Sequence, residues 1–191
     1  MKLDITKGKI KEAAIQLMKE CSSPSEVTSR KIAKKAGVQL AMINYCFGSR
    51  EALLFSVFNE MTAYILENDP DFAAIIKSGI SPKEKLKHLH YNIIVFLLDE
   101  FTFTKAITGY VLLNRDLTKA LNSLPFVMEH YSGRRSLQEC KLISYELSSM
   151  LQLAVYRHDE LKELCGIDLK DREQLKRFVD MQVDLFLTDQ K

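Results

Sequence analysis

The segment Thr28–Glu51, TSRKIAKKAGVQLAMINYCFGSRE, constrains the fold of this chain more than any other stretch. Ile32, Ala33 and Ala36 recur at helical spacing, and Gly37 stands where a left-handed residue ends a helix. Val38 plugs the corner, and a second short helix is expected from about Gln39 to Phe47. Two short helices joined by a glycine turn make a helix-turn-helix, whose second helix enters the DNA major groove in many small proteins. DNA binding is therefore the leading expectation. The roughly 140 residues that follow become a question of control.

Charge agrees with that division. Residues 1–50 hold ten Lys/Arg against four Asp/Glu, a net +6, whereas the remainder nets −4 and the whole chain +2. A basic head on a mildly acidic body suits a module that meets phosphate while its body avoids it. Apolar residues are 47% and charged residues 27% of the chain, as in ordinary globular domains. The longest strongly apolar run, Ile93–Leu98, is too short to span a bilayer, and MKLDITKGKIKE carries charge where a signal peptide needs apolar residues. A cytoplasmic protein is expected. Cys21, Cys46, Cys140 and Cys165 form no CxxC pair, so neither a zinc site nor a secreted disulfide framework is expected. No cofactor is called for, and no HExxH, Walker loop, GxSxG or Cys–His pattern marks an enzyme.

The rest reads as an all-α chain. Ile10, Ala13, Ala14, Leu17, Met18 and Cys21 form a stripe on a first helix of about 4–21. Thr28 or Ser29 caps the second helix, and Ser49 caps a fourth that ends near Asn68. Residues 70–82 read as a looser connection with room for one short helix, 83–101 as a strongly apolar helix, and 104–122 as one or two shorter ones. A single long helix is expected over about 135–163 and a last one over about 171–187. The domain division expected is 1–50 for DNA binding and 51–191 for a helical body that dimerises. The dimer-forming surface is expected on the last two long helices, at Leu147, Leu151, Val155, Phe178, Gln182, Leu185 and Phe186, meeting its symmetry mate as a four-helix bundle.

On a helical wheel, Ile43 and Phe47 share the inward face of the reading helix, while Ala41 and Tyr45 point out. Gln39 and Asn44 each offer a donor and an acceptor to base edges, and Leu40, Ala41 and Met42 can touch thymine methyls. Tyr45 suits a phosphate. Thr28, Ser29, Arg30 and Arg50 lie at helix starts around this helix, where phosphate oxygens are favoured. Leu40 fits a core position at the turn equally well, and Arg30 and Arg50 fit plain solvated or ion-paired roles.

The stretch AGVQLAMINYCFGSREALL, residues 36–54, resembles the TetR family of transcriptional regulators, with TSRKIAKKAG matching that family's second helix. Cys46 stands where the family usually has His, Gln39 where Ser is frequent, and Ala41 where Gly is frequent. The resemblance implies that 51–191 form a ligand-binding and dimerisation domain, in a repressor that leaves a palindromic operator when a small, largely apolar effector tilts the fourth helix, Glu51 to Asn68. The effector wall expected from the aromatic and methionine positions comprises Tyr64, Leu89, Ile93, Phe96, Leu97, Phe101, Phe103, Tyr110, Met128, Tyr145 and Met150, with His88, His90 and His130 as candidate polar anchors. A redox-responsive regulator working through Cys46 or Cys140 is the alternative, and a helical carrier or enzyme a further one.

Overall fold

A computed structural model describes residues 2–21, 23–116 and 121–188. Among these there are eleven α-helices, one 3₁₀ turn at Pro24–Glu26, and no strand. The helices are α1 (Lys2–Glu20), α2 (Ser29–Ala36), α3 (Ala41–Phe47), α4 (Arg50–Asn68), α5 (Pro70–Lys77), α6 (Pro82–Asp99), α7 (Phe101–Asn114), α8 (Leu124–Tyr131), α9 (Leu137–Tyr156), α10 (His158–Cys165) and α11 (Arg172–Phe186). The expected all-α class is what the chain adopts. The chain divides into two compact units, the first running up to Tyr64 and adding Glu100–Arg115, the second formed by Ile65–Asp99 and the residues after Arg115.

Local chemistry sets the helix ends in the first unit. Thr28 is extended, and its Oγ1 accepts from the Lys31 N–H at 3.2 Å, satisfying one of the orphan donors at the start of α2. Gly37 ends α2 at φ 66°, a conformation costly for a residue with a Cβ. Ser49 Oγ accepts from Ala52 N–H at 3.0 Å and opens α4. The stripe read from the sequence is the core: Ile10, Ala13, Ala14, Leu17, Ile32, Ile43, Leu53, Leu54 and Val57 are all buried. Helix α7 adds Phe103, Ile107 and Val111 to that unit's buried set, and its Tyr110 ring lies 6.1 Å from Phe55 of α4.

The second unit is built around α6, which packs against α5, α8, α9 and α11. Leu86, Leu89, Ile94, Phe96 and Leu97 of α6 are buried, as the wide apolar circumference requires. Asp69 caps α5 through N–H groups of Asp71 and Phe72 at 2.9 and 3.1 Å, so the connection expected to be loose carries one ordered helix. Ser136 and Glu139 form a reciprocal capping box on α9, and Asp171 caps α11. Lys83 and Lys87 both reach Asp184, at 3.0 and 3.1 Å, and the Tyr131 hydroxyl donates to the Phe186 carbonyl at 3.2 Å; both tie α11 to earlier helices.

Two expectations are corrected. The long helix over 135–163 is two helices, α9 and α10, broken at Arg157 (φ −106°, ψ 28°). No glycine or proline marks the break; His158, just past it, is buried, with Nδ1 at 3.0 Å from Asp159 Oδ1. The 104–122 stretch begins earlier and forms one helix ending at Asn114; residues 117–120 lie outside the described ones.

Candidate nucleic-acid interface

Helix α3 presents a small, uncharged outer face. Ile43 is fully buried against the first unit's core, which fixes the rotation of α3. Phe47 is half-buried, with the Lys11 ammonium 6.0 Å from its ring. Consequently Ala41, Asn44 and Tyr45 turn outward, and Leu40 and Gln39 precede them on the same side, all exposed. Leu40 is 45% exposed and Tyr45 74%. Positions 40, 41, 44 and 45 are related by one, three, four and five residues, so their side chains form one contiguous patch. Leu40 is thus a surface residue and not a core plug at the turn. Met42 is half-buried at the flank.

The cations lie around this patch and not on it. Arg30, Lys31 and Lys34 are exposed on α2, while Lys35 is held by Glu20 at 2.6 Å. Thr28, exposed, spends its hydroxyl oxygen on the helix cap, and Ser29 is half-buried beside it. Arg50, half-buried, donates to the Val27 carbonyl at 3.1 Å and to Glu51 at 3.0 Å. It therefore clamps the start of α4 to the loop before α2.

This chain is similar to a TetR transcriptional regulator from Rhodococcus sp. RHA1, with 17% identity, 98% of each chain covered and a TM-score of 0.58. The chain has the TetR-regulator fold. No protein-family model matches it, and no curated protein does.

Within this TetR fold, the residues expected to wall an effector site divide between the two units. Tyr64, Phe101, Phe103 and Tyr110 belong to the first; Leu89, Ile93, Phe96, Leu97, Met128, Tyr145 and Met150 belong to the second. Leu89, Phe96, Leu97 and Phe103 are buried, and Ile93, Phe101 and Tyr110 are half-buried. Tyr64, Met128, Tyr145 and Met150 are exposed, because α4, α8 and α9 turn those positions away from their own cores. His90 of α6 is buried, its Nε2 makes no hydrogen bond among the described residues, and burial pushes its pKa down to about 4. His88 and His130 are half-buried, and the His130 ring meets Tyr131 edge-on at 4.8 Å. Among the described residues no cluster of His, Cys, Asp or Glu could hold a metal ion, and no helix is long and apolar enough to cross a membrane.

The residues expected to pair two copies differ in exposure. Leu147, Leu151 and Val155 are buried by their own chain, because these positions face α6, α8 and α11. Phe178, 5% exposed, floors two open depressions, of about 600 and about 470 Å³. Gln182 lines the larger, Phe186 is half-buried, and Leu185 is 65% exposed. The exposed apolar side chains missed in the sequence are Leu153, Tyr156, Leu164 and Met181; Leu142 of α9 is exposed with them. Leu142, Tyr145, Leu153 and Tyr156 fall on one side of α9, so this helix is apolar on two sides; that second stripe was the available signal.

Proposed function

We propose that this protein is a DNA-binding transcriptional regulator, a dimeric repressor released from a palindromic operator by a small, largely apolar effector. One observation carries the reading: α3 is fixed by buried Ile43 and presents an exposed amide, aliphatic and phenolic patch with exposed cations on the neighbouring helix. Base-reading groups in the centre and phosphate-binding groups around them are what a major-groove helix requires. In this reading, Gln39, Leu40, Ala41, Met42 and Asn44 meet bases. Thr28, Ser29, Arg30, Tyr45 and Arg50 meet phosphate. Residues 1–50 form the reading head, and 51–191 the effector-binding and dimerising body, acting in the cytoplasm.

Two copies pair through the outward apolar side chains of α9, α10 and α11, with Phe178 beneath them. A two-fold pair sets the heads about one DNA turn apart, which a palindrome matches. An effector works only through unequal affinity for the fitting and non-fitting arrangements; a tenfold loss of operator affinity needs about 1.4 kcal/mol of coupling. The redox alternative gains nothing at Cys140. That thiol is buried, and desolvation together with nearby Glu139 pushes its pKa up, leaving little of the reactive thiolate.

The test is selection of sheared genomic DNA by the purified protein, followed by binding of a recovered fragment across a salt series. Recovery of a shared palindrome, with affinity falling steeply as salt rises, is the expected result. A well-folded protein that enriches no sequence, before and after unfolding and refolding to strip bound ligand, would overturn the reading.

A further inference from the structure

We propose that α3 reads A·T base pairs, through amide contacts to adenine and aliphatic contacts to thymine methyls, and that the operator half-site carries a run of about three of them. The inference rests on the regulator reading above and narrows it. It starts from what the exposed patch lacks. Guanine shows two acceptors in the major groove, O6 and N7, and is read by a double donor, Arg or Lys; cytosine shows a donor and is read by a carboxylate. Helix α3 has neither a cation nor a carboxylate, and Gln39 and Leu40 before it add none. The neighbouring cation in sequence on each side is already engaged, Lys35 with Glu20 and Arg50 with Val27 and Glu51.

What the patch does hold matches the remaining bases. An Asn or Gln amide offers one donor and one acceptor, the complement of adenine N7 and N6–H. Asn44 and Gln39 are both exposed on this face. Leu40 and Ala41 are exposed beside them, apolar, and suited to the C5-methyl that distinguishes thymine. Seven helical residues extend about 10 Å, or about three base-pair rises, which sets the length of the run.

The experiment uses the full-length protein and the fragment recovered by selection, rebuilt as synthetic duplexes. Uracil replaces thymine, removing only the methyl; 7-deazaadenine and 7-deazaguanine remove only N7. Uracil at a contacted step should lower affinity about fourfold, the equivalent of one buried methyl group. Removing adenine N7 should lower it about fivefold or more, and removing guanine N7 should leave it unchanged. In Asn44→Ala the adenine substitution should lose its effect, which separates a direct contact from a change in DNA shape. A protein that binds its fragment with a steep salt dependence but loses affinity only with 7-deazaguanine would overturn this inference and leave the regulator reading standing. A protein that selects no DNA at all would overturn both.

Discussion

Lowering the pH from 7 to 4 acts on the core of the second unit through His90. This imidazole is 5% exposed on α6, its Nε2 has no hydrogen-bond partner among the described residues, and burial moves its pKa from an ordinary 6.5 down to about 4. The unfolded chain therefore binds the proton more tightly than the folded one. Stability contributed by this site is level above about pH 6.5 and falls as pH drops towards 4. Over that interval the difference amounts to about 3 kcal/mol, a large part of a small domain's total. His90→Leu removes the titrating group and keeps an apolar side chain of similar size. Urea unfolding of both proteins at pH 7, 5.5 and 4, followed by subtraction, isolates the residue. Glu139, held low by Ser136, Asp168, held low by Lys162, and Asp184, held low by Lys83 and Lys87 against its partial burial, titrate equally in both. So does His158, pushed down by desolvation and Lys170. The expected result is that the wild type loses about 3 kcal/mol more than the variant on going to pH 4. At pH 7 the variant should be at least as stable, since a buried nitrogen without a partner costs about 1–3 kcal/mol. Parallel curves for the two proteins would refute the argument, because they would mean that His90 takes up its proton as easily folded as unfolded.

Three further outcomes follow from exposure and backbone geometry. Tyr45→Ala removes a ring that is 74% exposed, so operator affinity should fall about tenfold while the melting temperature stays put; a folded variant with unchanged affinity would place the reading surface elsewhere. Phe178→Glu buries a carboxylate at a position 5% exposed and should unfold the second unit, whereas Leu164→Glu, at 82% exposed, should leave the fold intact and split the dimer; light scattering with circular dichroism separates the two, and a dimer that survives Leu164→Glu argues against that face. Gly37→Ala should cost about 1–2 kcal/mol from its φ of 66° alone, as an added Cβ meets nothing within 4 Å; a thermal-melt loss well above that would reveal a clash not accounted for.

What the sequence disclosed depended on how local the cause was. Thr28, Gly37 and Ser49 act within three or four residues of themselves, so the ends of α2 and α4 were legible. The outward placement of Ala41, Asn44 and Tyr45 followed from Ile43, because α3 has a single buried face. Helix α9 has two apolar sides, and a wheel alone cannot say which one the chain covers; Leu147, Leu151 and Val155 were assigned outward for that reason, and Leu153 was overlooked. The break at Arg157, next to buried His158, has no glycine or proline to announce it. The assignment of α7 to the first unit rests on contacts between residues far apart in sequence, such as Phe55 and Tyr110, which no local pattern records.

That last arrangement bears on how such a chain can be recombined. The first unit is left at Tyr64, re-entered at Glu100 and left again after Arg115. A single crossover after α4 would transplant the helix-turn-helix without Phe103, Ile107 and Val111, and strand Phe55 without its aromatic neighbour. Exchanging DNA specificity between proteins of this fold by moving a whole unit therefore takes three junctions. In the proposed reading, rewriting Gln39, Leu40, Ala41 and Asn44 on the surface of α3 takes none, which makes point substitution the accessible route to a new operator.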